Sequence, residues 1–158
     1  MSDNTGTNVN LNVNPNPVIA LLQNAKTIAV VGLSSNPLRA SHEVAAYLQI
    51  HGYRILPVNP NEAGKRILNE LCYVSLSEAV KATGLQIDIV DCFRKAQDIP
   101  VLVDEAIALG AGSVWMQLGI RHDLAAQRAM NAGLQVVMDK CTKIEHQLHL
   151  THRSHLQE

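Results

Sequence analysis

Five short runs of the chain are largely apolar at consecutive rather than alternate positions: TIAVV at 27–31, RILPV at 54–58, IDIVD at 87–91, SVWMQ at 113–117 and LQVVM at 134–138. A strand that is apolar on both faces must be covered on both, and a parallel sheet with helices packed above and below does so. The intervening stretches read as those helices. After Asn36 as N-cap and Pro37 at the first helical position, Ala40, Val44, Tyr47, Leu48 and His51 share one face, and Gly52 stops the helix. The segment 98–110 repeats the plan with Val103, Ala106 and Ile107; 122–133 repeats it with Ala125, Ala129 and Ala132. Residues 76–83 read as a shorter helix, and Pro17 opens another at PVIALLQNA. Joined by right-handed crossovers, these elements specify one doubly wound α/β domain. The expected sheet is five-stranded and parallel, in the order 3-2-1-4-5. Its ligand edge lies beyond the carboxyl ends of the strands, where the order reverses between the first and the fourth.

A chain of 158 residues buries a core of its own without needing a disulfide or a structural metal. The net charge is -1, from 13 Lys+Arg against 14 Asp+Glu, and the aromatics are Tyr47, Tyr53, Tyr73, Phe93 and Trp115. That offers neither the basic face nor the stacking platform a nucleic-acid partner requires. No run approaches the roughly 18 to 20 apolar residues of a membrane span, and the first basic residue is Lys26, unlike a secretory leader. Cys72, Cys92 and Cys141 are odd in number and lack a C-x-x-C pair, so a reducing, cytoplasmic setting is expected. Residues 1–16, with six Asn, read as a flexible arm, although Val9, Leu11 and Val13 alternate as an edge strand would. Residues 17–147 read as the ordered domain and 148–158 as a His-rich tail. His146, His149, His152 and His155 recur every third residue, which spreads them around a helix, and no Cys or carboxylate completes a metal shell. No metal site is therefore expected. The oligomeric state is left open.

The chemistry sits in the turns at the carboxyl edge. The first runs from Gly32 to Ser41 as GLSSNPLRAS. Gly32 lets the backbone approach a ligand, free N–H groups at a helix start favour an anion, and Ser34, Ser35, Ser41 and Arg39 add phosphate donors. Ordinary capping by the serines, with Arg39 solvated, is the structural alternative. A dinucleotide site would show G-x-G-x-x-G here and an acidic residue after the second strand; the chain has a single Gly32 and ends that strand in Asn59-Pro60. The third strand ends Asp91-Cys92-Phe93-Arg94-Lys95, an aromatic with two cations that suits an adenine beside phosphates, unless Phe93 packs under its loop. After the fourth strand, Gln117 supplies a neutral donor and acceptor, and Gly119 permits backbone approach. Cys141, flanked by Lys140 and Lys143, is either an activated thiol or a small buried hydrophobe. Glu145-His146 is an acid/base pair without a nucleophile, so no catalytic residue is assigned.

Together the fragments Gly32 to Pro37, Arg39 with Ser41, Gly52 to Pro60, Val90 to Arg94, Trp115 to Ile120 and Met138 to His146 resemble the small stand-alone CoA-binding proteins. Those resemble in turn the Rossmann-type CoA-binding domain of the succinyl-CoA synthetase alpha subunit. The match spans about residues 17 to 147 in order. It implies a single Rossmann-like domain that binds coenzyme A or a short acyl-CoA, a small-molecule nucleotide ligand, without evident catalysis. It implies that Gly32, Ser34, Ser35 and Arg39 hold phosphates while Asn59, Phe93 and Gln117 lie along the ligand. The expected cofactor-binding set is completed by Ser41, Arg94, Gly119, Lys140 and Cys141. Ala40 departs from an expected proline, His42 from tyrosine and Lys140 from arginine; the synthetase's second domain, with its phosphorylated histidine, has no counterpart. An NAD(P)-binding oxidoreductase or redox sensor is the second reading, and a histidine-rich metal carrier the third.

Overall fold

The structure, a computed structural model, describes residues 16–151. Of the expected arm at 1–16, residues 1–15 lie outside them. Asn16 belongs to the fold, since its side-chain oxygen accepts from the Val18 amide at 3.0 Å and caps helix α1, Pro17–Asn24. Strands β1 (Thr27–Val31), β2 (Arg54–Val58), β5 (Ile89–Cys92), β6 (Ser113–Met116) and β7 (Gln135–Val137) form the five-stranded sheet, and every pairing is parallel. A two-stranded hairpin, β3 (Arg66–Ile67) and β4 (Glu70–Leu71), interrupts the connection after β2. Helices α2 (Ala40–Ile50), α3 (Leu76–Thr83), α4 (Ile99–Ala108), α5 (Asp123–Asn131) and α6 (Thr142–His149) complete the alternation. Among the described residues no helix is long and apolar enough to cross a membrane.

The fold class is as expected, but the strand order is not. The order is β2-β1-β5-β6-β7, that is 2-1-3-4-5 in the counting that led to 3-2-1-4-5. The outer edge of β2 is already taken. The Tyr73 amide donates to the Pro57 carbonyl at 3.0 Å, the Asn59 amide donates to the Tyr73 carbonyl at 2.9 Å, and Val58 forms a lone parallel bridge with Tyr73. That one-bridge segment, too short to register as an apolar run, occupies the place assigned to the third strand. The real third strand, β5, crosses over and pairs with the free side of β1. The order therefore reverses between β1 and β5, and a ligand cleft belongs there.

Side chains of β1 alternate between two cores. Ile28 and Val30 pack with Leu22, Val44, Leu48 and Trp115 beneath α1, α2 and α6. Ala29 and Val31 pack with Leu76, Val103, Val114 and Ala125 beneath α3, α4 and α5. All five β1 residues are buried, which is why the strand reads as one continuous apolar run; each large aliphatic among them contributes about 1.5 to 3 kcal/mol. Trp115, fully buried, satisfies its indole N–H on the Lys140 carbonyl at 2.7 Å and so ties the loop after β7 to the core.

At the carboxyl end of β1 the chain passes through Gly32 at φ +90, whose N–H donates to the Val58 carbonyl of β2 at 2.7 Å. A Cβ on Gly32 would be driven into the Phe93 carbonyl oxygen at the end of β5. Helix α2 starts later than expected. Asn36 caps a separate turn, its side chain accepting from the Leu38 amide at 3.0 Å, and Arg39 is the residue before the helix. Gly32→Ala is expected to destabilise the fold more than twice as much as Gly52→Ala in urea unfolding. Gly52, at φ +98, has open space around its Cβ position and carries only the backbone strain of about 1 to 2 kcal/mol. Equal losses would show that the Phe93 contact does not constrain the turn.

Candidate ligand site at the carboxyl edge

Beyond the ends of β1, β5 and β6 lies a cavity of about 540 Å³, within the range of small-molecule sites. Ala40 and Val44 wall it on the α2 side, Phe93 on the β5 side, Leu118 and Ile120 after β6, and Cys141 and Ile144 on the first turn of α6. Val44 and Gln117 are buried and form its floor; Ala40, Leu118, Ile144 and Lys95 are exposed at its mouth.

Beneath the floor sits a carboxyl group that the sequence reading passed over. Asp91 is fully buried at the centre of the sheet. Gln117 Nε2 donates to its Oδ1 at 2.5 Å, and Thr142 Oγ1 donates to its Oδ2 at 3.1 Å. Gln117 Nε2 also donates to Thr142 Oγ1 at 2.9 Å, so both amide hydrogens are used and Oε1 has no partner among the described residues. Burial pushes the Asp91 carboxyl from the ordinary 3.8 up to about 7, against the hydrogen bonds from Gln117 and Thr142 that favour the charge. The signal was present in the sequence as the second of the two acids in the run IDIVDCF, set directly between Val90 and Cys92. Thr142, its partner, opens α6 and is likewise buried.

The first turn differs from the expected open phosphate cradle. The Ser34 amide donates to Ser41 Oγ at 3.0 Å, the Asn36 amide to Ser34 Oγ at 3.1 Å, and the Arg39 amide to the Asn36 carbonyl at 3.0 Å. Ser35 is committed to an acid: its hydroxyl donates to Glu62 Oε1 at 2.9 Å, and Lys65 pairs with the same carboxylate at 3.0 Å. Lys65 first and Ser35 second hold the Glu62 carboxyl below its usual range. The N–H groups of this turn without an acceptor among the described residues are those of Leu33 and, at the start of α2 beside the exposed Arg39, of Ala40 and Ser41. Asn59 is spent on the backbone, donating to the Leu33 carbonyl and accepting from the Asn61 amide, each at 3.0 Å.

The remaining expected residues divide between the cavity and its supports. Phe93, Arg94, Gln117 and Cys141 line the cavity. Arg94, 3.4 Å from Asp98, also lines a second cavity of about 310 Å³ on the α3 and α4 side, between Val58, Val74 and Val101. Gly119 braces the loop, its N–H donating to Asp139 Oδ1 at 2.6 Å. Lys140 is exposed and supports the edge through its carbonyl. Lys143, expected beside the thiol, is drawn to Glu43 at 2.7 Å. Val44, Ile120 and Ile144, missed as site residues, supply the apolar wall.

Helix α6 continues through His149, past the expected tail boundary at 147, and Leu150 packs against the α1, α2 and α6 core. His146 is buried, with Nδ1 2.7 Å from the Tyr47 hydroxyl, and His149 Nε2 lies 3.1 Å from Glu145 Oε2. His152 and His155 fall outside the described residues. Among those described, no cluster of three or more His, Cys, Asp or Glu could hold a metal ion.

The reversal between β1 and β5, with a cavity at that point of the carboxyl edge, defines a Rossmann-like domain. Comparison with known proteins narrows this. Residues 26–147 match the model of a CoA binding domain family, and the chain belongs to that family. It is 37% identical over 126 residues to the uncharacterized protein YneT of Bacillus subtilis (strain 168), covering 80% of this chain and 89% of YneT. A solved protein of Thermus thermophilus is 40% identical with a TM-score of 0.76, over 82% of this chain and 93% of that one. A hypothetical protein of Pyrococcus horikoshii OT3 is 35% identical with a TM-score of 0.76, over 84% and 89%. RSP in complex with beta-NADH shares the fold alone, at 13% identity and a TM-score of 0.53, over 89% of this chain and 68% of that one.

An acid whose folded-state pKa is raised takes up a proton on folding, so its contribution to stability falls as pH rises from its unfolded value to its folded one and is level above. For Asp91 that window runs from 3.8 to about 7. Between about pH 5 and pH 8 the parent is expected to lose stability relative to Asp91→Asn by on the order of 3 kcal/mol. Denaturant unfolding at the two pH values measures this; parallel curves would place the Asp91 pKa near its ordinary value.

Proposed function

We propose that the protein binds coenzyme A across this edge, with the phosphates over Gly32 between Arg39, the free Ala40 and Ser41 amides, and Arg94. The pantetheine arm enters the cavity between α2 and α6, and the adenosine lies toward the second cavity, on the far side of Arg94. What carries this reading is one juxtaposition: Arg94 and Lys95 on the lining, with Arg39 next to the wall residue Ala40 at the start of α2, border a cavity whose other walls are mostly apolar. A ligand with an anionic middle and a long, weakly polar arm fits both. Membership of the CoA binding domain family supports the same ligand. Ser34, Ser35 and Ser41 then shape the turn, and Ser35 reaches a phosphate only if Glu62 gives way.

The NAD(P) reading has less support. An adenosine ribose diol calls for an acceptor at the end of β2, and Asn59 at that position has both side-chain groups spent on backbone. The likeness to the NADH complex extends to the fold alone.

Coenzyme A at 100 times its dissociation constant is expected to stabilise the fold by ~2.7 kcal/mol, read as a raised melting temperature. Arg39→Ala, at an exposed position with no side-chain partner among the described residues, is expected to weaken binding by roughly 1 to 3 kcal/mol without lowering the melting temperature of the free protein. A shift produced by NADH or NADPH and not by coenzyme A would replace this reading with the oxidoreductase one.

A further inference from the structure

Resting on the coenzyme A reading, we infer that the ligand this site selects is an acyl-CoA with a short, uncharged aliphatic acyl group, in preference to free coenzyme A or a carboxylated thioester.

The reason is the chemistry of the cavity floor. The deepest wall residue besides Gln117 is Val44, 6% exposed; Ile120 and Phe93 form the walls above it, and Ile144 and Ala40 continue them to the mouth. Gln117, 5% exposed, is the polar side chain of the floor, and its two donor hydrogens are held below by Asp91 and Thr142. What it presents to the cavity is an acceptor, Oε1. An acceptor there takes an amide N–H from the pantetheine arm and opposes a carboxylate. Of the cations on the lining, Lys95 is exposed at the mouth, and Arg94, 3.4 Å from Asp98, is engaged by the phosphates in the coenzyme A reading. A bare thiol fills little of an aliphatic pocket, whereas each methylene buried there tightens binding about four-fold.

The test is a calorimetric series on the intact protein with coenzyme A, acetyl-CoA, butyryl-CoA and succinyl-CoA. Butyryl-CoA is expected to bind at least ten-fold tighter than acetyl-CoA, for two added methylenes, and tighter still than coenzyme A. Succinyl-CoA, which places a carboxylate where butyryl has its methyl end, is expected to bind at least ten-fold more weakly than butyryl-CoA. In the variant Ile144→Gln, at a half-exposed wall position, the butyryl preference should shrink. Equal affinity for coenzyme A and butyryl-CoA, or succinyl-CoA as the tightest ligand, would overturn the acyl preference while leaving coenzyme A binding intact. Absence of binding by all four would overturn the coenzyme A reading itself, and the acyl preference with it.

Discussion

The carboxyl edge depends on how closely the backbone passes at Gly32. Its N–H is held by the Val58 carbonyl of β2, and the Phe93 carbonyl just past β5 leaves no room for a Cβ on it, so the turn is constrained from both neighbouring strands. A side chain there would push β1 and β5 apart at the point where the strand order reverses. With glycine the two ends stay together, Phe93 and Arg94 are carried to one side of the turn, and α2 is launched so that Ala40 and Val44 face them across a cavity. The ligand edge is thus set by one residue without a side chain.

The opposite wall is held by polar groups. Helix α6 brings Cys141 and Ile144 to the cavity, and it is fastened at two places. At its start Thr142 reaches the buried Asp91 through a short network shared with Gln117. One turn later His146 meets the Tyr47 hydroxyl of α2, with His51 stacked on Tyr47 at 4.1 Å between ring centroids. Burial, and then the neighbouring His51, hold the His146 ring below its usual pKa, consistent with a neutral acceptor for the tyrosine. A satisfied buried network rigidifies what it joins, and here it joins the sheet, α2 and α6 around one cavity.

Most of the architecture was legible because burial on both faces leaves a continuous apolar run, and the five runs became the five strands of the main sheet. The strand order was not legible, because the segment that claims the edge of β2 is a single bridge at Tyr73 with no periodicity to read. The start of α2 was misplaced by three residues for a related reason: Asn36 and Pro37 make the right helix signal but close a turn of their own. At the site, the sequence displays residue types but not the partners to which the fold commits them. Ser35 and Asn59 were chosen as ligand donors, yet Glu62 and the Leu33 carbonyl, distant in sequence, already engage them. Asp91 was overlooked because an acid inside an apolar run resembles a strand end; only the partners Gln117 and Thr142, 26 and 51 residues away, explain it.

The central claim is that coenzyme A occupies the cavity between α2 and α6, and the cysteines offer a direct measurement. Cys141 is partly exposed on the cavity wall, while Cys72 and Cys92 are buried elsewhere at 2% and 0% exposure and serve as internal references. Native protein treated with an alkylating reagent, with and without saturating coenzyme A, is digested and its labelled peptides are compared. The account predicts that Cys141 is labelled in the free protein and shielded by the ligand, with Cys72 and Cys92 unlabelled in both. Equal labelling of Cys141 under conditions where coenzyme A is bound would place the ligand elsewhere and contradict the account.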